Sequence, residues 1–141
     1  MKKADQTSFL FREYNCAQTI FSLFSGDLGM DKELALKIAS GFGSGMNKGE
    51  TCGAVTGAYM VIGLKSGHTS SDPEDKSRTA GLIGKFNSFF LEKHGSLKCK
   101  ELLGFDISDP DEKQKAREAG VFQSHCPEFL KTAASILENH F

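Results

Sequence analysis

A glycine-rich segment, residues 41–57, leads directly into a stretch of small residues that predicts a helix. Six of the fifteen glycines of the chain lie in this segment. Gly53 and Gly57 are four residues apart, so one face of the predicted helix carries almost no side chain. A second helix can therefore approach that face closely. Because Cys52 lies where this helix begins, the segment favours a helical fold packed around a cysteine.

The rest of the chain predicts more helices and no strand, because its apolar residues recur at helical spacing and none of them alternate. The predicted helices cover residues 7–24, 31–40, 51–64, 72–94 and 110–119, with a last one from 126 onward and a short helical turn at 99–103. In the second of these, Leu34, Ile38 and Ala35 are expected to face the core. We therefore expect an all-α fold, a compact single-domain bundle of about five to six helices over residues 1–141.

The composition excludes several classes of protein. A net charge of −1 provides no basic surface for nucleic acid. The longest apolar run, Ala58 to Leu64, is far shorter than the roughly 20 residues that span a bilayer. The N-terminus does not resemble a secretory signal, because Arg12 and Glu13 interrupt its apolar run. We expect a cytoplasmic protein that binds neither membrane nor nucleic acid, in a reducing setting where cysteines are more often free, metal-bound or catalytic than disulfide-bonded.

The chain has four cysteines, and three of them fall at predicted helix starts. Cys52, Cys99 and Cys126 would each meet the free N–H groups and partial positive charge of a helix N-terminus, which favour a thiolate. Cys16 is expected in the middle of the first helix. It can join the others only if that helix packs on the bare face of Gly53. The pattern indicates a set of functional thiols, although cysteines that only pack in a core remain an alternative.

Two other patterns give weaker signals. The run from Gly41 to Gly45 lacks the preceding strand and the third glycine of a nucleotide-binding loop. His125 is next to Cys126, but adjacent residues on a helix do not face each other, so this order does not indicate a Cys–His catalytic pair.

Four stretches of the chain resemble the redox-active protein family that is named for the pattern C_GCAxxG_C_C. They are Asn15-Cys16-Ala17-Gln18, Gly49-Glu50-Thr51-Cys52-Gly53-Ala54-Val55-Thr56-Gly57, Cys99-Lys100-Glu101-Leu102-Leu103-Gly104, and Cys126. The resemblance extends from about Phe9 to Leu137. The central motif departs from the name at Thr51, which stands where the pattern has glycine, so the alignment of Cys52, Ala54 and Gly57 needs one inserted residue.

The resemblance implies an all-helical protein of the kind common in anaerobic bacteria and archaea, called redox-active because of its cysteines. A related domain accompanies split-Soret cytochromes, in which cysteines hold an iron–sulfur centre. Carried over, this makes four residues both the candidate catalytic residues and the candidate metal ligands: Cys16, Cys52, Cys99 and Cys126. Gly49, Gly53 and Gly57 are the candidate cofactor-binding positions. The haem does not carry over, because the chain lacks Cys-x-x-Cys-His.

Two functions remain open at this point. In the first, the four cysteines converge on one site and either hold an iron–sulfur cluster, a zinc or an iron ion, or cycle between dithiol and disulfide. An electron-transfer or redox protein would then be the partner, and the Phe-rich fourth helix could contribute to a homodimer. In the second, the protein is a non-catalytic helical module, with structural zinc or simply buried cysteines, that serves a protein partner. Whether the protein is an enzyme stays undecided.

Overall fold

The structure is a computed structural model that describes residues 2–141, and every regular element within that range is helical. The nine α-helices of the described residues are α1 (Lys3–Phe11), α2 (Cys16–Ser25), α3 (Lys32–Ala39), α4 (Gly53–Ser66), α5 (Pro73–His94), α6 (Cys99–Leu103), α7 (Pro110–Ala119), α8 (Val121–Ser124) and α9 (Cys126–His140). A 3-10 turn (Gly26–Leu28) follows α2, and a tight turn (Gly45–Gly49) precedes α4. The all-α class is confirmed.

The predicted number of helices, five to six, was too low, partly because the segment 7–24 is two helices. The chain leaves α1 after Phe11, and Asn15 caps a new helix. The Asn15 side chain accepts a hydrogen bond from the Gln18 backbone, and the Gln18 side chain accepts one from the Asn15 backbone. This reciprocal pair satisfies two amides that a continuous helix would not have left free. The short helix α8 was also not predicted.

Helix α2 lies at the centre of the fold, where it packs against α1, α3, α4 and α9. Its approach to α4 is as close as the bare glycine face predicted. A Cβ added at Gly57 would lie 2.9 Å from the Ala17 carbonyl oxygen, and one at Gly53 would lie 2.9 Å from the Cys16 Cβ. The two glycines therefore bring the first turns of α2 and α4 together.

Helix α3 packs with a face rotated by about 100° from Leu34 and Ile38, and of the three residues predicted to be buried only Ala35 is. Leu34 and Ile38 are 49% and 45% exposed, whereas Ala35 and Ala39 are fully buried. The Gln18 side chain also donates a hydrogen bond to the Leu36 carbonyl. Small side chains allow α3 to lie close to α2, so the alanines and not the larger residues occupy the interface.

The core continues into the C-terminal helices as predicted. Phe86 and Phe90 of α5 are fully buried, and Phe129 and Ala133 of α9 are also buried. No helix in the described part of the chain is both long and apolar enough to cross a membrane.

Candidate cysteine site

Each of the four cysteines lies at a helix N-terminus. Cys16, Cys99 and Cys126 are the first residues of α2, α6 and α9, and Cys52 is the residue immediately before α4. The expectation that Cys16 lies in the middle of a helix was wrong, because the break at Asn15 places it at a helix start. Four separate elements thus each present one thiol.

One cavity of about 60 Å³ is lined by all four of these side chains. Every cysteine is free and buried, with 4% to 8% of its surface exposed. The remaining lining residues are Phe11, Asn15, Ser44, Gly53, Leu103, Phe122 and Phe129. The cavity is therefore small, mostly apolar and rich in sulfur.

An isolated antiparallel bridge between Thr51 and Lys98 sets the positions of two of the thiols. The Cys52 amide donates to the Leu97 carbonyl at 2.7 Å, and the Cys99 amide donates to the Glu50 carbonyl at 2.6 Å. Side chains next to a bridge residue point to the face opposite to that of the bridge residues. Cys52 and Cys99 therefore point to the same face, where they are diagonal and not direct neighbours across the bridge. In a regular ladder that relation separates the residues by about 7–8 Å, which is longer than the usual Cα spacing of about 4.4–6.8 Å in a disulfide.

Cys16 and Cys126 form the closest pair of thiols in chemical terms, because the Cys16 thiol donates a hydrogen bond to the Cys126 sulfur. This hydrogen bond raises the pKa of Cys16 well above its usual value, and burial and the neighbouring sulfurs raise it further. The same hydrogen bond lowers the pKa of Cys126, against the opposing effect of burial. Within the pair, Cys126 is the more acidic thiol and the better attacking group, and Cys16 is the less acidic one.

The other two thiols stay protonated. Burial raises the pKa of Cys52 from 9.0 to about 12, although the Ala54 and Val55 amides partly offset it. Burial, together with the nearby Cys52 and Cys126, likewise raises the pKa of Cys99 to about 12. The prediction that helix N-termini make these sulfurs thiolates was therefore wrong for Cys52 and Cys99, because desolvation of the charged form outweighs the helix end.

The turn that precedes α4 closes one side of the cavity in an unusual backbone conformation. Ser44, Met46 and Asn47 have φ values of 53°, 60° and 58°, in the left-handed region that residues with a side chain rarely adopt. Gly45 also has positive φ, and a Cβ there would lie 3.0 Å from the Cys99 Cβ. Ser44 lines the cavity, and its hydroxyl has no hydrogen-bond partner within residues 2–141.

The three candidate cofactor-binding glycines are not gathered at one place. Gly53 lines the cavity. A Cβ at Gly49 would instead meet Lys100 and one at Gly57 would meet Ala17, so these two positions serve helix packing. His125 is exposed and its ring is hydrogen-bonded to the Ser124 hydroxyl at 2.7 Å, so it does not line the site.

The chemistry of the four thiols favours a bound metal, but their arrangement does not by itself indicate one. Four thiols are the soft ligands that an iron–sulfur cluster or zinc takes. Within residues 2–141, however, no three His, Cys, Asp or Glu side chains are placed to hold a metal ion together. A metal held by the four thiols stays a prediction, and no chemical step through a metal follows from this arrangement.

Sequence reasoning missed two polar residues of the site. Asn15 carried a readable signal, since Asn-x-x-Gln is a capping box that predicts a helix start at Cys16. Ser44 carried none, because its position depends on the left-handed turn and on the elements that pack around it.

Comparison with protein families gives one match. The family model described as "Putative redox-active protein (C_GCAxxG_C_C)" matches residues 14–140. This range contains all four cysteines. No curated protein and no solved structure matches the chain.

Proposed function

The chain belongs to the C_GCAxxG_C_C family, and from that premise we propose that it is a two-electron thiol–disulfide redox protein whose exchanging pair is Cys16 and Cys126. The observation that carries the proposal is that these two cysteines line one buried cavity, where each is the largest influence on the pKa of the other. A thiolate is the attacking species in disulfide chemistry, and its partner thiol is already in contact with it.

The exchange balances in two steps. The Cys126 thiolate attacks one sulfur of an oxidised partner and forms a mixed disulfide, and the partner's other sulfur leaves as a thiolate that takes a proton from water. Cys16 loses its proton and attacks Cys126, and the partner's remaining sulfur leaves as a second thiol. The protein ends with a Cys16–Cys126 disulfide, and the partner has gained two electrons and two protons. An electron-transfer or redox protein is the class of partner that would run the cycle.

Cys52 and Cys99 have a different part in this proposal. Both sulfurs stay neutral near pH 7 because their pKa values are about 12. Their backbones are tied by the Thr51–Lys98 bridge in a relation that does not favour a mutual disulfide. They therefore form the neutral wall of the cavity, while Cys16 and Cys126 exchange electrons.

The test is a redox titration of the protein under anaerobic conditions. The reduced protein is equilibrated in buffers of oxidised and reduced dithiothreitol, quenched with an alkylating reagent and mapped by peptide mass spectrometry. We expect one intramolecular disulfide, between Cys16 and Cys126. Cys99→Ser is the matched control, because it changes a thiol of the same cavity that is outside the pair, and it should form the same disulfide.

Two outcomes would overturn the proposal. One is a protein in which no disulfide forms in these buffers, or in which the disulfide joins other cysteines. The other is stoichiometric iron or zinc in protein that is purified anaerobically and examined by visible spectroscopy and metal analysis. The second result would replace the thiol pair with a metal centre held by cysteines.

A further inference from the structure

The size of the cavity limits what can reach the sulfurs. Its volume of about 60 Å³ is about twice the 30 Å³ that one water molecule occupies in the liquid. None of the four cysteines is more than 8% exposed. A protein disulfide, or a tripeptide disulfide such as oxidised glutathione, is far too large to enter. Thiol–disulfide exchange with a partner protein or with dithiothreitol therefore requires the cavity to open, whereas an oxidant of only a few atoms can react while the cavity is closed.

The lining of the cavity adds a chemical requirement. Four apolar side chains, Phe11, Leu103, Phe122 and Phe129, form most of the wall that is not sulfur. Both polar groups of the Asn15 side chain already have hydrogen-bond partners. Its amide oxygen accepts from the Gln18 backbone, and its amide nitrogen donates to the Ser40 carbonyl. Ser44 is different, because its hydroxyl has no partner within residues 2–141. A small oxidant would thus meet one attacking sulfur and one free hydroxyl donor.

We propose that the cavity takes a hydroperoxide of the size of hydrogen peroxide and that the protein reduces it, with Cys126 attacking the peroxide, Cys16 resolving the product and Ser44 donating a hydrogen bond to the leaving oxygen. The proposal rests on the proposed function, because it uses the same thiol pair. It adds the class of oxidant, which the family does not specify, and a residue outside the cysteine pattern.

The reaction balances without a metal or cofactor. The Cys126 sulfur bonds to one peroxide oxygen, the O–O bond breaks, and the other oxygen leaves as water after it takes up a proton. Cys126 is then a sulfenic acid. The Cys16 sulfur attacks the Cys126 sulfur, the S–O bond breaks, and the hydroxyl leaves as a second water. Two thiols have lost two electrons in forming one disulfide, and the peroxide has gained them. A small external dithiol restores the reduced pair.

The second step takes place within one cavity, because Cys16 and Cys126 both line it. A sulfenic acid at Cys126 forms next to a thiol that was hydrogen-bonded to the same sulfur. Both sulfurs line the same cavity of about 60 Å³, so the resolving thiol is present where the sulfenic acid forms.

The experiment measures oxidation of the reduced protein by stopped-flow kinetics in the absence of air. Hydrogen peroxide is compared with cumene hydroperoxide, which has the same O–O bond but cannot fit the cavity. We expect a second-order rate constant at least about 100-fold larger for hydrogen peroxide, as positioned thiolate chemistry can supply. Mass spectrometry should show one disulfide formed for each peroxide consumed. This comparison uses the unaltered protein, so it does not depend on the folding of any variant.

Variants assign the three roles. Cys126→Ser should lose the fast reaction. Cys16→Ser should react but stop at the sulfenic acid, which a dimedone-type reagent traps at Cys126. Ser44→Ala should slow the reaction about fivefold to tenfold, the effect of one lost hydrogen bond. Ser88→Ala, an exposed serine on α5, is the matched control and should react at the unaltered rate.

The inference fails if hydrogen peroxide oxidises the protein no faster than it oxidises free dithiothreitol, or if the two hydroperoxides react at similar rates. Its failure is distinct from that of the proposed function. If dithiothreitol buffers still produce the Cys16–Cys126 disulfide, the thiol pair stands and only the choice of oxidant is wrong. If the pair forms no disulfide in those buffers, the proposed function itself is overturned.

Discussion

Cys126 differs from the three other thiols of the cavity because it accepts a hydrogen bond from Cys16. All four residues lie at helix N-termini, and all are buried to a similar extent. Neither burial nor the position at a helix end therefore explains why the pKa of Cys126 differs from the pKa values of the other three thiols. Because Cys16 is the donor, Cys126 is the one sulfur of the four whose pKa is lowered. An apolar site can in this way hold a nucleophile among neutral neighbours.

Replacing Cys16 with alanine should raise the pKa of Cys126. The Cys16 thiol lowers the pKa of Cys126 by hydrogen bonding, so loss of this donor shifts the ionisation of Cys126 to higher pH. The measurement is the thiolate absorbance in the ultraviolet as a function of pH, with the Cys126→Ser background subtracted. Cys99→Ala is the control and should leave the Cys126 transition in place. An unchanged transition in Cys16→Ala would show that the hydrogen bond does not set this pKa.

Local sequence chemistry predicted some residues of the site well and others poorly. Cys52, Cys99 and Cys126 were placed at helix starts because proline, glycine and charge patterns mark helix ends. Cys16 was misplaced because the apolar stripe runs through the break at Asn15. Ionisation could not be predicted, since it depends on burial and on one long-range contact between α2 and α9.

At the scale of elements, the crossing of α2 and α4 determines where two of the thiols lie. Gly53 and Gly57 let the backbone of α2 come within reach of α4, and Cys16 and Cys52 begin those two helices. Four-residue spacing of glycines could be read from the sequence, because a missing side chain has a direct consequence for packing. The partner helix could not be identified with certainty, because many apolar faces could pack there.

Gly57→Ala should destabilise the reduced protein. A Cβ at this position would lie 2.9 Å from the Ala17 carbonyl oxygen and 3.0 Å from the Ile20 Cβ, so α2 must shift. Overpacking of this kind costs about 1–3 kcal/mol. Gly84→Ala in α5 is the control, because nothing lies within 4 Å of a Cβ there and alanine favours a helix by about 0.5–1 kcal/mol. Denaturant unfolding should show opposite shifts, and two shifts of the same sign would contradict the close crossing.

The turn before α4 shows why other elements could not be predicted. Glycines suggested where the backbone would be unusual, yet Ser44, Met46 and Asn47 also adopt left-handed φ values. Such residues cost about 1–3 kcal/mol each and persist only when surrounding contacts hold them. Here Glu50 donates a hydrogen bond to the Gly45 carbonyl, and α6 packs against the turn. Those contacts exist only in the folded chain.

At the scale of the whole molecule, the fold class followed from the sequence more readily than the cavity did. Periodic apolar residues and helix caps are local, and they suffice for an all-α assignment. The cavity requires four helix starts, from α2, α4, α6 and α9, to meet at one place. That meeting buries neutral thiols in the core, and it links the stability of the protein to pH.

The free energy of unfolding of the reduced protein should fall as the pH rises above 9. Cys52 has a pKa of 9.0 when unperturbed and about 12 in the fold. Below pH 9 it is protonated in both the folded and the unfolded state, so its contribution to stability is fully present there. Between these values the unfolded chain releases the proton and the folded chain keeps it, so stability declines by about 1.4 kcal/mol per pH unit for this thiol.

Unfolding of the reduced protein by denaturant at a series of pH values, beside the same series for Cys52→Ala, isolates this contribution. Lysines and tyrosines also titrate in this range, but they do so in both proteins and cancel in the difference. Cys52→Ala should be less stable at pH 7, because it loses packing, and should lose less stability per pH unit above pH 9. Ser88→Ala, an exposed serine on α5 outside the cavity, is the control and should give a curve parallel to that of the unaltered protein. Parallel curves for the unaltered protein and Cys52→Ala would mean that the Cys52 thiol ionises as easily in the fold as in the unfolded chain.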